Sequence, residues 1–215
     1  MIQSELMRAL LGPGSAPGRF FGVVVGIVTD NRDPESMHRV RVRFPWLGTD
    51  DQSNWARVAS PMAGPGRGLY CLPEVDDEVV VAFEHGCIDQ PYVLGALWNG
   101  QDAAPERNGD GRNDTRAFHS RSGHVIRFGD RAGDETIEIV DASGDNRLVI
   151  RSAAGAIEIE ARGDVSITAR TGKLVLSGVG IELDSQAGVR IQAAAGVELS
   201  AAAQVDVKGA LINLN

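Results

Sequence analysis

From Leu148 to Leu214 the chain keeps returning to one short pattern, LVI, IEI, VSI, LVL, IEL, VRI, VEL, VDV and INL. The triplets begin at Leu148, Ile157, Val165, Leu174, Ile181, Val189, Val197, Val205 and Ile212, in steps of 9, 8, 9, 7, 8, 8, 8 and 7 residues. Most have a polar residue between two apolar ones, the period-2 signature of a strand with one buried face. A repeat of about eight residues matches one strand and a corner, and is too short for helical-repeat or propeller arrays. Gly155, Gly163, Gly172, Gly180, Gly188 and Gly196, with alanine runs, fill the intervals and permit tight corners.

Such a strand turns only two sizeable apolar residues inward, so it cannot make a core alone. A single chain could wind a solenoid with three strands per coil. Alternatively, three chains could intertwine into a triangular prism. The alanines at 153–154, 187, 193–195 and 201–203, and the lack of an asparagine ladder, favour the thin cross-section of the prism. The expected shared core is Leu148, Ile150, Ile157, Ile159, Val165, Ile167, Leu174, Leu176, Ile181, Leu183, Val189, Ile191, Val197, Leu199, Val205 and Val207. Nine layers at ordinary strand spacing give a rod of roughly 40 Å.

The preceding residues read differently. Residues 1–18 combine a weakly amphipathic stretch (Leu6, Leu10, Leu11) with the breaker run Gly12-Pro13-Gly14-Ser15-Ala16-Pro17-Gly18, an arm and linker. From 19 to 100 the signals are five strands: 20–29, 38–44, 55–60, 78–84 and 92–97. A long glycine-bearing first strand within some 80 residues suits a small closed barrel of the OB type. Residues 101–118 form a polar, turn-rich linker, and 119–215 the rod. The expected fold is all-β, a five-stranded OB barrel followed by a trimeric β-helix.

Composition narrows the function. The 215 residues carry a net charge of −8, and no segment is basic, which counts against nucleic acid or anionic membrane as a partner. Aromatic residues are only 5% of the chain, so a broad conventional core throughout is not expected. No N-terminal stretch has the charged-then-apolar plan of a signal peptide and no run of 18 apolar residues occurs, so the expected product is made in the cytoplasm without a leader. Cys71 and Cys87 show no zinc or redox spacing and read as isolated thiols.

Each candidate for chemistry has a plainer structural reading. Arg39, Arg41 and Arg43 alternate along one OB strand, the best case for nucleic-acid binding, yet stacking aromatics are few. The Gly64–Gly68 loop lacks the GK[ST] ending of a phosphate loop. His85 beside Glu84 and Cys87 reads as a loop histidine, and His119 with His124 as flanks of a turn. The carboxylates Glu74, Asp76, Asp77 and Glu78 read as a solvated turn rather than a glycosidase pair. No catalytic, cofactor-binding or metal residues are expected, and no cofactor.

The barrel residues also carry a resemblance. Trp55-Ala56-Arg57-Val58-Ala59-Ser60-Pro61-Met62-Ala63-Gly64, Gly66-Arg67-Gly68-Leu69-Tyr70, Leu72-Pro73-Glu74-Val75-Asp76-Asp77-Glu78-Val79, Phe83-Glu84-His85-Gly86 and Pro91-Tyr92-Val93-Leu94-Gly95-Ala96-Leu97-Trp98-Asn99-Gly100 resemble the OB domain of VgrG-type spikes and of baseplate assembly protein V of contractile phages. Arg39-Val40-Arg41-Val42-Arg43-Phe44-Pro45-Trp46 resembles that family's second strand, and the repeat is similar in kind to its trimeric β-helix. The resemblance implies a non-enzymatic spike on a contractile injection system (a phage tail, tailocin, extracellular injection particle or type VI-like machine). It implies a homotrimer that punctures a target envelope. Family members open with a large hub domain; only some 19 residues precede this barrel, so the hub is expected on another polypeptide. The interval 101–118 is too short for the lysozyme domain of some phage spikes. The chain closes without the paired histidines of metal-binding tips, so a separate PAAR-type tip protein is expected on Leu211, Ile212, Leu214 and Asn215. Two other readings stay open: a carbohydrate-binding or carbohydrate-cleaving β-helix, and an OB-fold nucleic-acid binder.

Overall fold

The computed structural model describes residues 18–47 and 52–213. The N-terminal arm, Leu214 and Asn215 lie outside the described residues. Among the described residues, all regular structure apart from two short 3₁₀ turns is β.

Strands β1 (Val23–Asp30), β2 (Arg39–Arg43), β3 (Ala56–Val58), β6 (Glu78–Phe83) and β7 (Pro91–Ala96) close into a barrel in the order β1-β2-β3-β7-β6. The strands β4 (Ala63–Gly64) and β5 (Arg67–Gly68) make a separate two-stranded hairpin. All five expected barrel strands are present, within three residues of their anticipated ends. Alternation explains the barrel: in β2, Val40 and Val42 point inward between outward arginines, and in β6, Val79, Val81 and Phe83 do the same. Those residues with Val28, Phe44, Ala56 and Val93 form the core. Phe44 and Phe83 meet edge-on with ring centroids 5.5 Å apart, and Phe20 and Trp46 pack around them, an aromatic plug beside a valine interior.

A second sheet follows in the same compact unit. Strands β8 (Thr115–His119), β9 (Val125–Gly129), β10 (Thr136–Val140), β11 (Arg147–Arg151) and β12 (Ala156–Glu160) pair in sequence order, every pair antiparallel. This differs from the sequence expectation in two ways. The linker 101–118 gives its last four residues to β8. The first two triplets, at Leu148 and Ile157, are neighbours in an in-chain meander rather than rungs passed between chains. The reason is turn chemistry: each of the four connections holds a glycine in the left-handed region, Gly123, Gly133, Gly144 and Gly155, and so reverses direction tightly.

Residues 163–213 form a separate unit. Among them no residue pairs in a strand, and all are exposed. None of the glycines here, from Gly163 to Gly209, takes a left-handed conformation, so the hairpin device of the meander stops at Gly155.

Candidate functional site

One face of the meander is left open. Strand register fixes it: Phe118, Ile126, Ile139, Leu148 and Ile159 stand in one row across the five strands. Arg116, Phe128, Ile137, Ile150 and Ile157 stand in a second row. Because directly paired residues share a face and alternate rows oppose, these two rows lie together on one side. Nine of the ten residues are apolar. Phe118, Ile126, Phe128, Ile139, Ile157 and Ile159 are all 43–70% exposed, so none of the described residues of their own unit covers them. Contiguous exposed apolar faces of this kind are uncommon on monomeric proteins and mark contact surfaces.

The opposite face is complete. Its central row is Ala117, Arg127, Glu138, Val149 and Glu158. Arg127 Nη1 donates to Glu138 at 3.3 Å, Arg151 to Glu158 at 3.1 Å and Arg147 to Glu160 at 2.8 Å. These hydrogen bonds raise the proton affinity of both Arg147 and Arg151, and the Arg147 guanidinium lowers that of Glu160. Glu106 straps the linker onto this side, accepting from Arg127 Nε at 3.2 Å and lying 3.1 Å from His119 Nε2. The Arg127 hydrogen bond holds the Glu106 carboxyl below its usual range, against the opposing effect of burial. Val149, beneath these ion pairs, is only 3% exposed.

The residues expected in a shared core are open to solvent in the single chain. Leu148 and Ile150 share the uncovered face with Ile159 and Ile157, their ladder partners. Val165, Ile167, Leu174, Leu176, Ile181, Leu183, Val189, Ile191, Val197, Leu199, Val205 and Val207 are 52–71% exposed. Leu211 and Ile212 are exposed as well.

The other sequence candidates do not converge on chemistry. Arg39 makes a two-pronged pair with Asp33, Nε to Oδ2 at 2.9 Å and Nη2 to Oδ1 at 2.6 Å. Asp33 also accepts from the N–H groups of Glu35 and Met37, so this pair organises the β1–β2 loop, and the Arg39 hydrogen bond holds the Asp33 carboxyl far below its usual range. Arg39 and Arg41 lie 5.9 and 5.0 Å from the Trp55 ring, and Arg57 lies over Tyr92. These aromatic faces are occupied by arginines of the same chain, leaving no open stacking platform there. No signal in the sequence pairs those rings with those arginines.

The acidic cluster is divided among separate tasks. Asp77 accepts from the Glu74 N–H, Glu74 holds Arg121 at 2.8 Å, and Glu78 accepts from Asn99. Gly64–Gly68 is the β4–β5 hairpin. His85 sits in a left-handed turn, its carbonyl accepting from Arg19. His124 Nδ1 accepts from the Ala142 N–H. Among the described residues no three His, Cys, Asp or Glu side chains gather as a metal site, and no helix is long and apolar enough to cross a membrane. Cys71 and Cys87 are both free.

With that geometry in place, relatives can be compared. Residues 24–98 match the type VI secretion system/phage-baseplate injector OB domain. The type VI secretion system spike protein VgrG3 of Vibrio cholerae is 32% identical over 128 residues, 56% of this chain and 13% of that protein. Spike protein VgrG4b of Pseudomonas aeruginosa is 39% identical over 110 residues, 46% of this chain and 13% of that protein. The actin cross-linking toxin VgrG1 of Vibrio cholerae is 29% identical over 128 residues, 56% of this chain and 12% of that protein. The chain spans 12 to 22% of the length of the curated relatives it matches. Residues 24–98 are thus similar to the injector OB domain of the type VI secretion system and phage baseplate, and the chain is similar to VgrG spike proteins over 46 to 56% of its length.

Proposed function

We propose that the protein is a non-enzymatic spike of a contractile injection system and works as a homotrimer. The barrel end mounts on a hub protein at the end of the tail tube. Residues 119–215 form the shaft driven through a target envelope when the sheath contracts. A PAAR-type tip protein seats on Leu211, Ile212, Leu214 and Asn215. The relatives named as spike proteins support the role; the toxin relative is matched over a small share of its length, and no catalytic constellation forms among the described residues here.

One observation carries the reading: a sheet with an uncovered apolar face precedes a repeat whose apolar residues have neither ladder partners nor cover in a single chain. Two further copies supply both. Their meander faces meet around a common axis, and strands from 163 onward pair with strands of the other copies. A shaft built this way breaks many backbone hydrogen bonds together or none, which suits axial load. Size-exclusion chromatography with light scattering tests it: the purified chain should elute as three copies. A folded single-copy particle would overturn the reading.

A further inference from the structure

We infer that the meander, and not the eight-residue repeat, sets the register in which the three copies meet. The inference rests on the trimer reading above and concerns which part of the shared surface decides alignment. A strand's register is specified by its hydrophobic pattern and by turn geometry, and only weakly where the pattern is uniform. From Ile181 to Val207 the units recur every eight residues and offer the same thing, two aliphatic side chains around one charged residue, with similar exposure throughout. Sliding one chain by one repeat brings aliphatic against aliphatic again and sacrifices only the terminal layers.

The meander lacks that degeneracy. Its five strands are locked to each other by in-chain ladders, so its face exists before a partner arrives. That face is not periodic along the chain. Phe118 and Phe128 stand on adjacent strands at one side, isoleucines and Leu148 fill the rest, and Arg116 closes one corner. Arg116 is held there by Asp130, so a displaced copy would set this ion pair against aliphatic side chains and strip it of water. The occupant of the face is the other two copies, because β11 and β12 carry the first two triplets of the series that continues through 163–213. The uncovered face and the repeat are one hydrophobic sequence, folded in-chain at its start and left open thereafter. Three preformed faces therefore dock first, and the repeats close behind them in the alignment so fixed.

Refolding the full chain from denaturant tests this. Ile126→Thr with Ile139→Thr removes apolar surface from the meander face while keeping β-branched residues at positions already partly exposed in the single chain. Val189→Thr with Ile191→Thr makes the matching change in the repeat. The repeat variant should return a single trimeric species, and the meander variant a mixture of monomers and heterogeneous oligomers. Amide exchange over 115–160 verifies that the sheet survives; if it does not, Ile126→Val with Ile139→Val repeats the comparison with smaller losses. Recovery of one homogeneous trimer by the meander variant would overturn the inference, as would equal loss of the trimer in both variants. If the unsubstituted chain itself is a monomer, the trimer reading fails instead.

Discussion

Ile191→Ala separates a shared shaft from a self-sufficient chain. In one copy Ile191 is 65% exposed. If that were its final state, truncation would remove little buried surface and cost no more than a surface substitution, within about 0.5 kcal/mol. In the trimer the exposed two-thirds becomes buried. Full burial of an isoleucine side chain stabilises by about 1.5–3 kcal/mol, so the part still open here represents about 1–2 kcal/mol per copy. The residual cavity adds to that, bringing a typical buried Ile→Ala change to about 2–5 kcal/mol. Because all three copies change at one level of the axis, the trimer loses three such terms in one layer. The assay is guanidinium-induced dissociation at fixed protein concentration, followed by light scattering and by circular dichroism, with Arg190→Ala as the neighbouring control. A clear fall of the midpoint for Ile191→Ala and little change for Arg190→Ala is expected. Equal midpoints for the two variants would refute the reasoning.

Val42→Ala, in the barrel where Val42 is fully buried, should cost about 1–3 kcal/mol of barrel stability without changing copy number, checked by thermal unfolding and light scattering. Asp141 accepts from Ser143, Asn146 and Gly144 in the β10–β11 turn, which lowers its carboxyl to about 2. A depressed folded value contributes stability present above the unfolded value near 4 and lost as pH falls toward about 2, so protection of the Gly144 amide, relative to its intrinsic exchange rate at each pH, should fall across that window and Asp141→Asn should flatten the dependence. Glu106→Ala should free the strap over Arg127 and His119, seen as faster tryptic cleavage after Arg107 and Arg112 with the barrel intact.

The barrel was legible because valines alternate with arginines or small residues over runs of the right length, and glycine and proline clusters mark the turns between them. Of the repeat, the first two triplets lie on strands β11 and β12, and the residues from 163 to 213 form no strand in the single chain. The strands β9 and β10 were not separated from the rod, although Ile126, Ile137 and Leu148 step by eleven residues rather than eight. The extra length is in the clusters Asp130–Asp134 and Asp141–Asn146, which close hairpins, and that turn chemistry was the available clue. Glu106 gripping Arg127 and His119, or Arg39 and Arg41 bracketing Trp55, could not be read, because such contacts depend on how distant segments are brought together in three dimensions.

In the spike proposed above, the completed side of the meander would bear on passage through an envelope. Its guanidinium groups are already matched to carboxylates on neighbouring strands, so the wall neutralises itself locally and presents little unspent charge to lipid headgroups or anionic polysaccharide. Such a surface should adhere poorly to what it crosses, and its adsorption to anionic vesicles should depend only shallowly on ionic strength.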